Sequence, residues 1–401
     1  MKATSCLLLC LLLAPAICQS APSDGGDPRA ALRTLLYVRN GNLWTCDAEG
    51  ANSRQLTKSG LYATAQWTGG GHALAGFIVD SELNVRRVNL LSDEGVFQGA
   101  IVGNVVQLAD LPGGRQVALV QRPGDKWEAL DVPSGRSLTG VRPGVAPSLS
   151  PDGHTIAYHI QSHVEPISLA SSVVYVTDLA APGKPRRLSP PLGKQVYEGN
   201  ASYAKFFDGA TEFLCWSPDG SRMVVFRYIF ENDDWGGSGH CVTPVTRWAP
   251  TPLTQLGVGS DDLQWRPKAD SPQIAVTQTG RHGPCWAVLV EGEKATSLPG
   301  LDAEGWEKSP QNSHSLGWSP GGRYVLTAAD DDGYVALTDV DARRELPRRL
   351  TGATEASVDA TEQTVAYVRD GQVYVQSLAS LASGSGAGKK IGPGKGVAWR
   401  Q

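Results

Sequence analysis

One short signature recurs along this 401-residue chain and limits its fold more than any other feature. An apolar residue, one further residue and Trp lead into a Ser-Pro-Asp-Gly-type turn, and a β-rich run follows. The signature is plainest at Leu214-Cys215-Trp216-Ser217-Pro218-Asp219-Gly220 and at Leu316-Gly317-Trp318-Ser319-Pro320-Gly321-Gly322. Weaker copies place Trp67 before Thr68-Gly69-Gly70, Trp265 before Arg266-Pro267, and Leu149 before Ser150-Pro151-Asp152-Gly153. Degenerate copies put Asp110 before Leu111-Pro112-Gly113-Gly114 and Val358 before Asp359-Ala360, and a last copy is Val397-Ala398-Trp399.

After each turn come alternating runs such as 223–226, 155–159 and 324–327, which predict a second strand. A third run ends in an acidic turn, as in Val174-Tyr175-Val176-Thr177-Asp178 and Val335-Ala336-Leu337-Thr338-Asp339. The fourth carries a basic residue and closes in Leu-Thr or Leu-Ser: Arg54-Gln55-Leu56-Thr57, Arg186-Arg187-Leu188-Ser189, Arg348-Arg349-Leu350-Thr351. Four short antiparallel strands per repeat make one blade of a β-propeller. With 46 Gly, 26 Pro and only 2 Met, the composition suits short strands joined by tight turns and gives little material for amphipathic helices.

The N-terminal repeat begins at its second strand, 35–38, and lacks a first, whereas 397–400 is a first strand with no blade of its own. Joined, they complete one blade and leave the ring no open edge. The expected fold is therefore all-β: a single closed β-propeller over residues 34–401, its N- and C-terminal strands sharing one blade. Closing strands near Thr57, Ala100, Thr139, Ser189, Leu256, Leu298, Thr351 and Ile391 give eight blades, with seven as the alternative. Trp216 and Trp318, which occupy one repeated position, are expected to lie buried between blades.

These copies resemble the TolB-like propeller repeat, a relative of WD40-type propellers, over essentially the whole of 34–401. The resemblance implies the fold and leaves the function open, because the repeat serves binding proteins and the propeller domains of some peptidases and lyases alike. TolB itself carries an additional α/β domain and is described with six blades; this chain has neither feature, so it is not read as TolB and no TolB partner residues are carried over. Many chains of this kind are periplasmic.

The first residues read as a targeting segment: Lys2 supplies the early charge, 6–16 form a short apolar run, and Ser20 and Ala21 are small. The reading is a signal peptide over 1–20, a short linker over 21–33, a periplasmic or secreted mature chain, and no membrane span after cleavage. Three of the seven cysteines lie in that segment, leaving Cys46, Cys215, Cys241 and Cys285, which are expected to be mostly free and buried. The formal net charge of −4 is spread along the chain with no basic stripe, so nucleic acid is excluded as the expected partner.

Propeller topology sorts the loops. The Ser-Pro-Asp-Gly turns keep one face short, while the long segments 161–172, 190–211, 231–240 and 300–313 fall on the other, where binding is expected. His163, His240 and His282 are placed in second-to-third-strand loops there, His314 in a connector near the channel mouth, and Trp235 in an irregular acidic loop. These five are the candidate ligand-binding residues. No catalytic residue is assigned: no Gly-x-Ser-x-Gly elbow, Walker loop or dinucleotide fingerprint is present. The function expected is that of an exported, non-enzymatic, monomeric binding protein recognising a protein or a cell-envelope polymer, with no cofactor. The alternative is a metal-assisted polysaccharide lyase or hydrolase in which these histidines hold a divalent metal. Their plainer reading is as solvated loop residues, since none has tight metal-ligand spacing.

Overall fold

The computed structural model describes residues 33–68, 71, 73–80, 85–111, 115–132, 134–164, 169–189, 210–228, 239–252, 260–267, 273–280, 283–291, 294–297, 313–329 and 333–400. The segment read as a signal peptide and the long loops 190–209 and 300–312 lie outside these. Among the described residues the strands form eight antiparallel sheets, seven of four strands and one of five. In chain order their second strands are Thr34–Arg39, Ala73–Val79, Gln116–Arg122, Thr155–Val164, Arg222–Tyr228, Gln273–Gly280, Tyr324–Ala329 and Thr364–Arg369. The sheets are numbered below in that order.

The two ends of the chain share the first sheet. Thr34–Arg39 pairs on one side with Asn42–Asp47 and on the other with Lys395–Trp399, in the register Leu35 opposite Trp399 and Leu36 opposite Ala398. Lys395–Trp399 also packs against Ala353–Val358 of the eighth sheet and Thr64–Thr68 of the second.

Second strands are apolar without alternation because both of their faces are covered. Leu35 and Tyr37 pack with Ala366, Val368 and Val373 of the eighth sheet, while Leu36 and Val38 pack with Leu74 and Leu91 of the second. A continuous apolar run is what a strand between two layers requires. The first strands bend instead: all but that of the second sheet carry a register shift against their neighbour, a β-bulge that increases local twist.

The repeated residues join neighbouring sheets. The indole Nε1 of Trp216 donates to the Ser148 carbonyl (3.2 Å), that of Trp318 to the Gln264 carbonyl (2.9 Å) and that of Trp399 to the Ser357 carbonyl (2.8 Å). Each acceptor belongs to the first strand of the preceding sheet. Trp216 is buried, as expected. Trp318 is only partly buried, contrary to expectation, with the buried Arg266 guanidinium 5.8 Å from its ring centroid.

The Leu-Thr and Leu-Ser endings are explained by the outer edge. Leu56 N donates to the Leu43 carbonyl and the Thr57 hydroxyl accepts from Leu43 N (3.0 Å), so one dipeptide satisfies both backbone groups of a third-strand residue. Leu138-Thr139 does the same at Ala129, and Leu188-Ser189 at Val174. Between the third and fourth strands of the eighth sheet stands one short helix, Leu378–Ala382, with Leu378 and Leu381 buried. No helix among the described residues is long and apolar enough to cross a membrane.

Candidate functional site

The two ends of the sheets differ in what their polar atoms do. At the Ser-Pro-Asp-Gly end they are consumed locally. Ser217 O accepts from Gly220 N, its hydroxyl accepts from Arg222 N (2.9 Å) and donates to Asp219, and Asp219 in turn accepts from Ser221 N (3.0 Å) and Ser221 Oγ (2.7 Å). Burial alone would raise the Asp219 carboxyl, but these hydrogen bonds and Arg222 hold it below the usual range. Ser150 and Asp152 repeat the pattern, Asp359 reproduces it with a carboxylate, and Ser319, whose turn lacks the Asp, donates to Glu362 of the next sheet. Gly220 sits at φ +68°, a conformation that favours glycine. Such turns leave little unsatisfied for a partner.

At the opposite end, five hairpins between second and third strands are tied, among the described residues, to the connector leaving their sheet. Tyr62 N donates to the Gly41 carbonyl (2.9 Å), Gly103 N to Arg86 O (3.0 Å), Gly144 N to Asp125 O (2.7 Å), Gly352 N to Gly333 O (2.5 Å) and Gly394 N to Gly371 O (3.0 Å). Hairpins and connectors of the first, second, third, seventh and eighth sheets therefore form one continuous rim. Three aliphatic side chains are exposed toward this end: Leu61 (57%) in the connector leaving the first sheet, Val102 (68%) as the last residue of the strand Phe97–Val102, and Val141 (54%) just before the strand Arg142–Pro143. Around them Lys58, Arg87 and Lys126 are exposed, while Arg86 pairs with Asp80 and Arg122 with Glu128 (2.7 Å).

Of the residues singled out in the sequence, three have described backbones, and they stand in strands where loops or a connector were expected. His163 lies opposite Ala170 in the hairpin of Thr155–Val164 and Leu169–Asp178, His240 opposite Phe226, and His314 opposite Ala328. The ladder's backbone hydrogen bonds carry the strands past the point where side-chain alternation stops, so 161–164 and 169–172 extend a hairpin. All three are at the rim end of their sheets, one each in the fourth, fifth and seventh. Trp235 and His282 lie outside the described residues, as do Asp330, Asp331 and Asp332. Among the described residues no three His, Cys, Asp or Glu side chains converge as metal ligands.

One histidine escaped the sequence reading. His159, in the second strand of the fourth sheet, is 6% exposed and its Nδ1 has no hydrogen-bond partner. Burial pushes its pKa down to about 4, so it is neutral at physiological pH. Read in sequence, it is merely one member of the alternation Tyr158-His159-Ile160. Cys46, Cys215 and Cys241 are buried thiols outside any disulfide, and burial pushes the Cys46 and Cys215 thiols up to about 12.

This architecture matches solved structures. A Cps50 (Swd1) β-propeller domain from Myceliophteria thermophila aligns with 80% of this chain and 98% of its own length, at a TM-score of 0.51 and 15% identity. A eukaryotic initiation factor aligns over 92% of this chain and 98% of its own, with a TM-score of 0.55 and 12% identity. The dihydro-heme d1 dehydrogenase NirN aligns over 96% and 78%, at 0.52 and 16%. The fold is a β-propeller. At these identities the likeness extends to the fold alone, and the neighbours differ in what they do. The sequence matches no protein-family model and no curated protein.

Proposed function

We propose that this chain is an exported, non-enzymatic binding protein of the TolB-like and WD40-like kind, taking a partner protein or cell-envelope polymer on its hairpin-and-connector rim. The observation that carries the reading is the contrast between the two ends. The Ser-Pro-Asp-Gly turns spend their polar atoms on their own backbone, whereas the rim end exposes Leu61, Val102 and Val141 over three sheets beside Lys58, Arg87 and Lys126, which form no ion pair among the described residues; at the turn end Val96 and Phe97 are exposed on the second sheet. Apolar side chains set among charges are what a partner can cover with gain. The test is face-specific crosslinking: a photo-crosslinker at Val102 or at Ser221, exposed to the native cell envelope. Adducts from position 102 and not from 221 support the reading; adducts from 221 alone refute it.

The same reading takes the eight sheets as blades of one closed ring. Its support is the pairing of Thr34–Arg39 with Lys395–Trp399 and the packing of the latter on both neighbouring sheets. Deleting 396–401 is then expected to lower the melting temperature by several degrees, since it strips the partner from Leu35 and Leu36; an unchanged melting temperature contradicts closure.

A further inference from the structure

The hairpins of the first and eighth sheets, neighbours in space and at opposite ends of the chain, are near copies. Tyr37-Val38-Arg39-Asn40-Gly41-Asn42 leads to Trp44, and Tyr367-Val368-Arg369-Asp370-Gly371-Gln372 leads to Tyr374. Both turns hold two residues at positive φ, Asn40 (49°) and Gly41 (69°), Asp370 (51°) and Gly371 (65°), the two-residue type that suits strand twist. In each, the tyrosine stacks on the aromatic residue across the ladder, with ring centroids 6.5 Å apart for Tyr37 and Trp44 and 5.2 Å for Tyr367 and Tyr374. Each arginine then lies over the second ring, Arg39 at 4.9 Å from the Trp44 centroid and Arg369 at 4.4 Å from that of Tyr374.

A guanidinium lying over a ring loses little freedom when it turns its N–H groups to an anion; Arg369 also hydrogen-bonds the Tyr374 side chain and keeps its remaining N–H donors for that use. Neither arginine forms an ion pair among the described residues. Gly394, the link between the strands Lys389–Pro393 and Lys395–Trp399, lies between them, tied to the eighth-sheet hairpin through its N–H, and Arg39 lies close to Gly392. Lys390 and Lys395 are exposed on the strands that flank it. Among the described residues the carboxylates close by are Asp370, in the turn itself, and Glu355, which already accepts from Gly396 N (2.6 Å). The seam is thus cationic on a chain whose net charge is −4.

We propose that Arg39 and Arg369 form a two-pronged carboxylate clamp which, with Leu61 beside it, takes a segment of a partner protein in which acidic and apolar residues alternate. This rests on the binding reading above and names its occupant. Leu61 is placed next to the clamp by the bond from Tyr62 N to the Gly41 carbonyl. A uronic-acid polymer offers carboxylates but no aliphatic side chain to cover Leu61, and the rings on which a sugar could stack, Trp44 and Tyr374, are capped by the arginines.

The test uses the full mature chain and a fluorescein-labelled peptide of five Glu-Leu repeats, read by anisotropy, with polygalacturonate as the competing probe. The expected result is salt-sensitive peptide binding that weakens at least tenfold in R39Q/R369Q, less in R39K/R369K, which keeps the charge without the fork, and several-fold in L61S. Melting temperatures are expected to stay near wild type, and the single variants R39Q and R369Q, each about half as disruptive, serve if the double variant does not fold. No peptide binding by the wild-type chain, binding unchanged in R39Q/R369Q, or polygalacturonate bound in place of the peptide overturns the proposal. Crosslinking from position 102 that persists in R39Q/R369Q leaves the rim reading standing; its absence in the wild-type chain removes that reading too.

Discussion

The indole of Trp216 donates its N–H to the carbonyl of Ser148 in the neighbouring sheet, and both residues occupy repeated positions, the second immediately before the place where Leu149 replaces Trp. At Trp216, Trp318 and Trp399 one repeated residue thus sits between two sheets and hydrogen-bonds across to the preceding one. Replacing Trp216, 8% exposed, with Ala is expected to cost about 3–5 kcal/mol, the range for removing a large aromatic from a core. Trp216→Phe is expected to cost about 1 kcal/mol beyond its lost volume, for the hydrogen bond alone. Trp318→Ala, at a partly exposed site, is expected to cost clearly less than Trp216→Ala. Urea denaturation of the three variants checks the order, and equal losses at 216 and 318 contradict it.

The repeat was legible because its residues do the same local work in several copies. Trp216, Trp318 and Trp399 bond backward to the preceding sheet, Ser150 and Ser217 close their turns, and Thr57, Thr139 and Ser189 cap an outer edge. The shared first sheet followed from one missing and one spare strand. What stayed hidden depends on contacts distant in sequence. The tie from Gly394 to Gly371 and the closeness of Arg39 to Gly392 exist only once the ends of the chain meet. The likeness of 37–44 to 367–374 was present in the sequence, but nothing in either segment marks its arginine as ring-stacked. His163 was read as a loop residue within the long segment 161–172, while the ladder continues through it.

Gly41 fixes the first hairpin against its connector. It sits at φ +69°, and a Cβ there would strike the Gly60 carbonyl, which is backbone and cannot move aside. Gly41→Ala is expected to cost at least about 1–2 kcal/mol from the left-handed conformation, and more from the clash. The loss is also expected to loosen the connector bearing Leu61, seen as faster amide exchange at 58–62. Wild-type stability and exchange would show that the hairpin and connector are not coupled.

His159 gives the chain an acid-side weakness. Its folded pKa, about 4, lies below the ordinary value of about 6.5, so the unfolded state takes up a proton first as pH falls. Its contribution to stability is therefore complete above pH ~6.5 and is lost progressively down to pH ~4, amounting to about 3 kcal/mol across that window. His159→Gln is expected to flatten the fall in stability between pH 6.5 and 4. An equally steep fall in the variant assigns the acid sensitivity to other groups.

The rim assignment is tested most directly by amide hydrogen exchange of the full chain with and without the partner captured from position 102. Protection is expected at 58–63, 102–104, 140–145 and 369–372, with no change at 150–154 and 217–222. Protection of the Ser-Pro-Asp-Gly turns at 150–154 and 217–222, with the rim unchanged, would contradict the account.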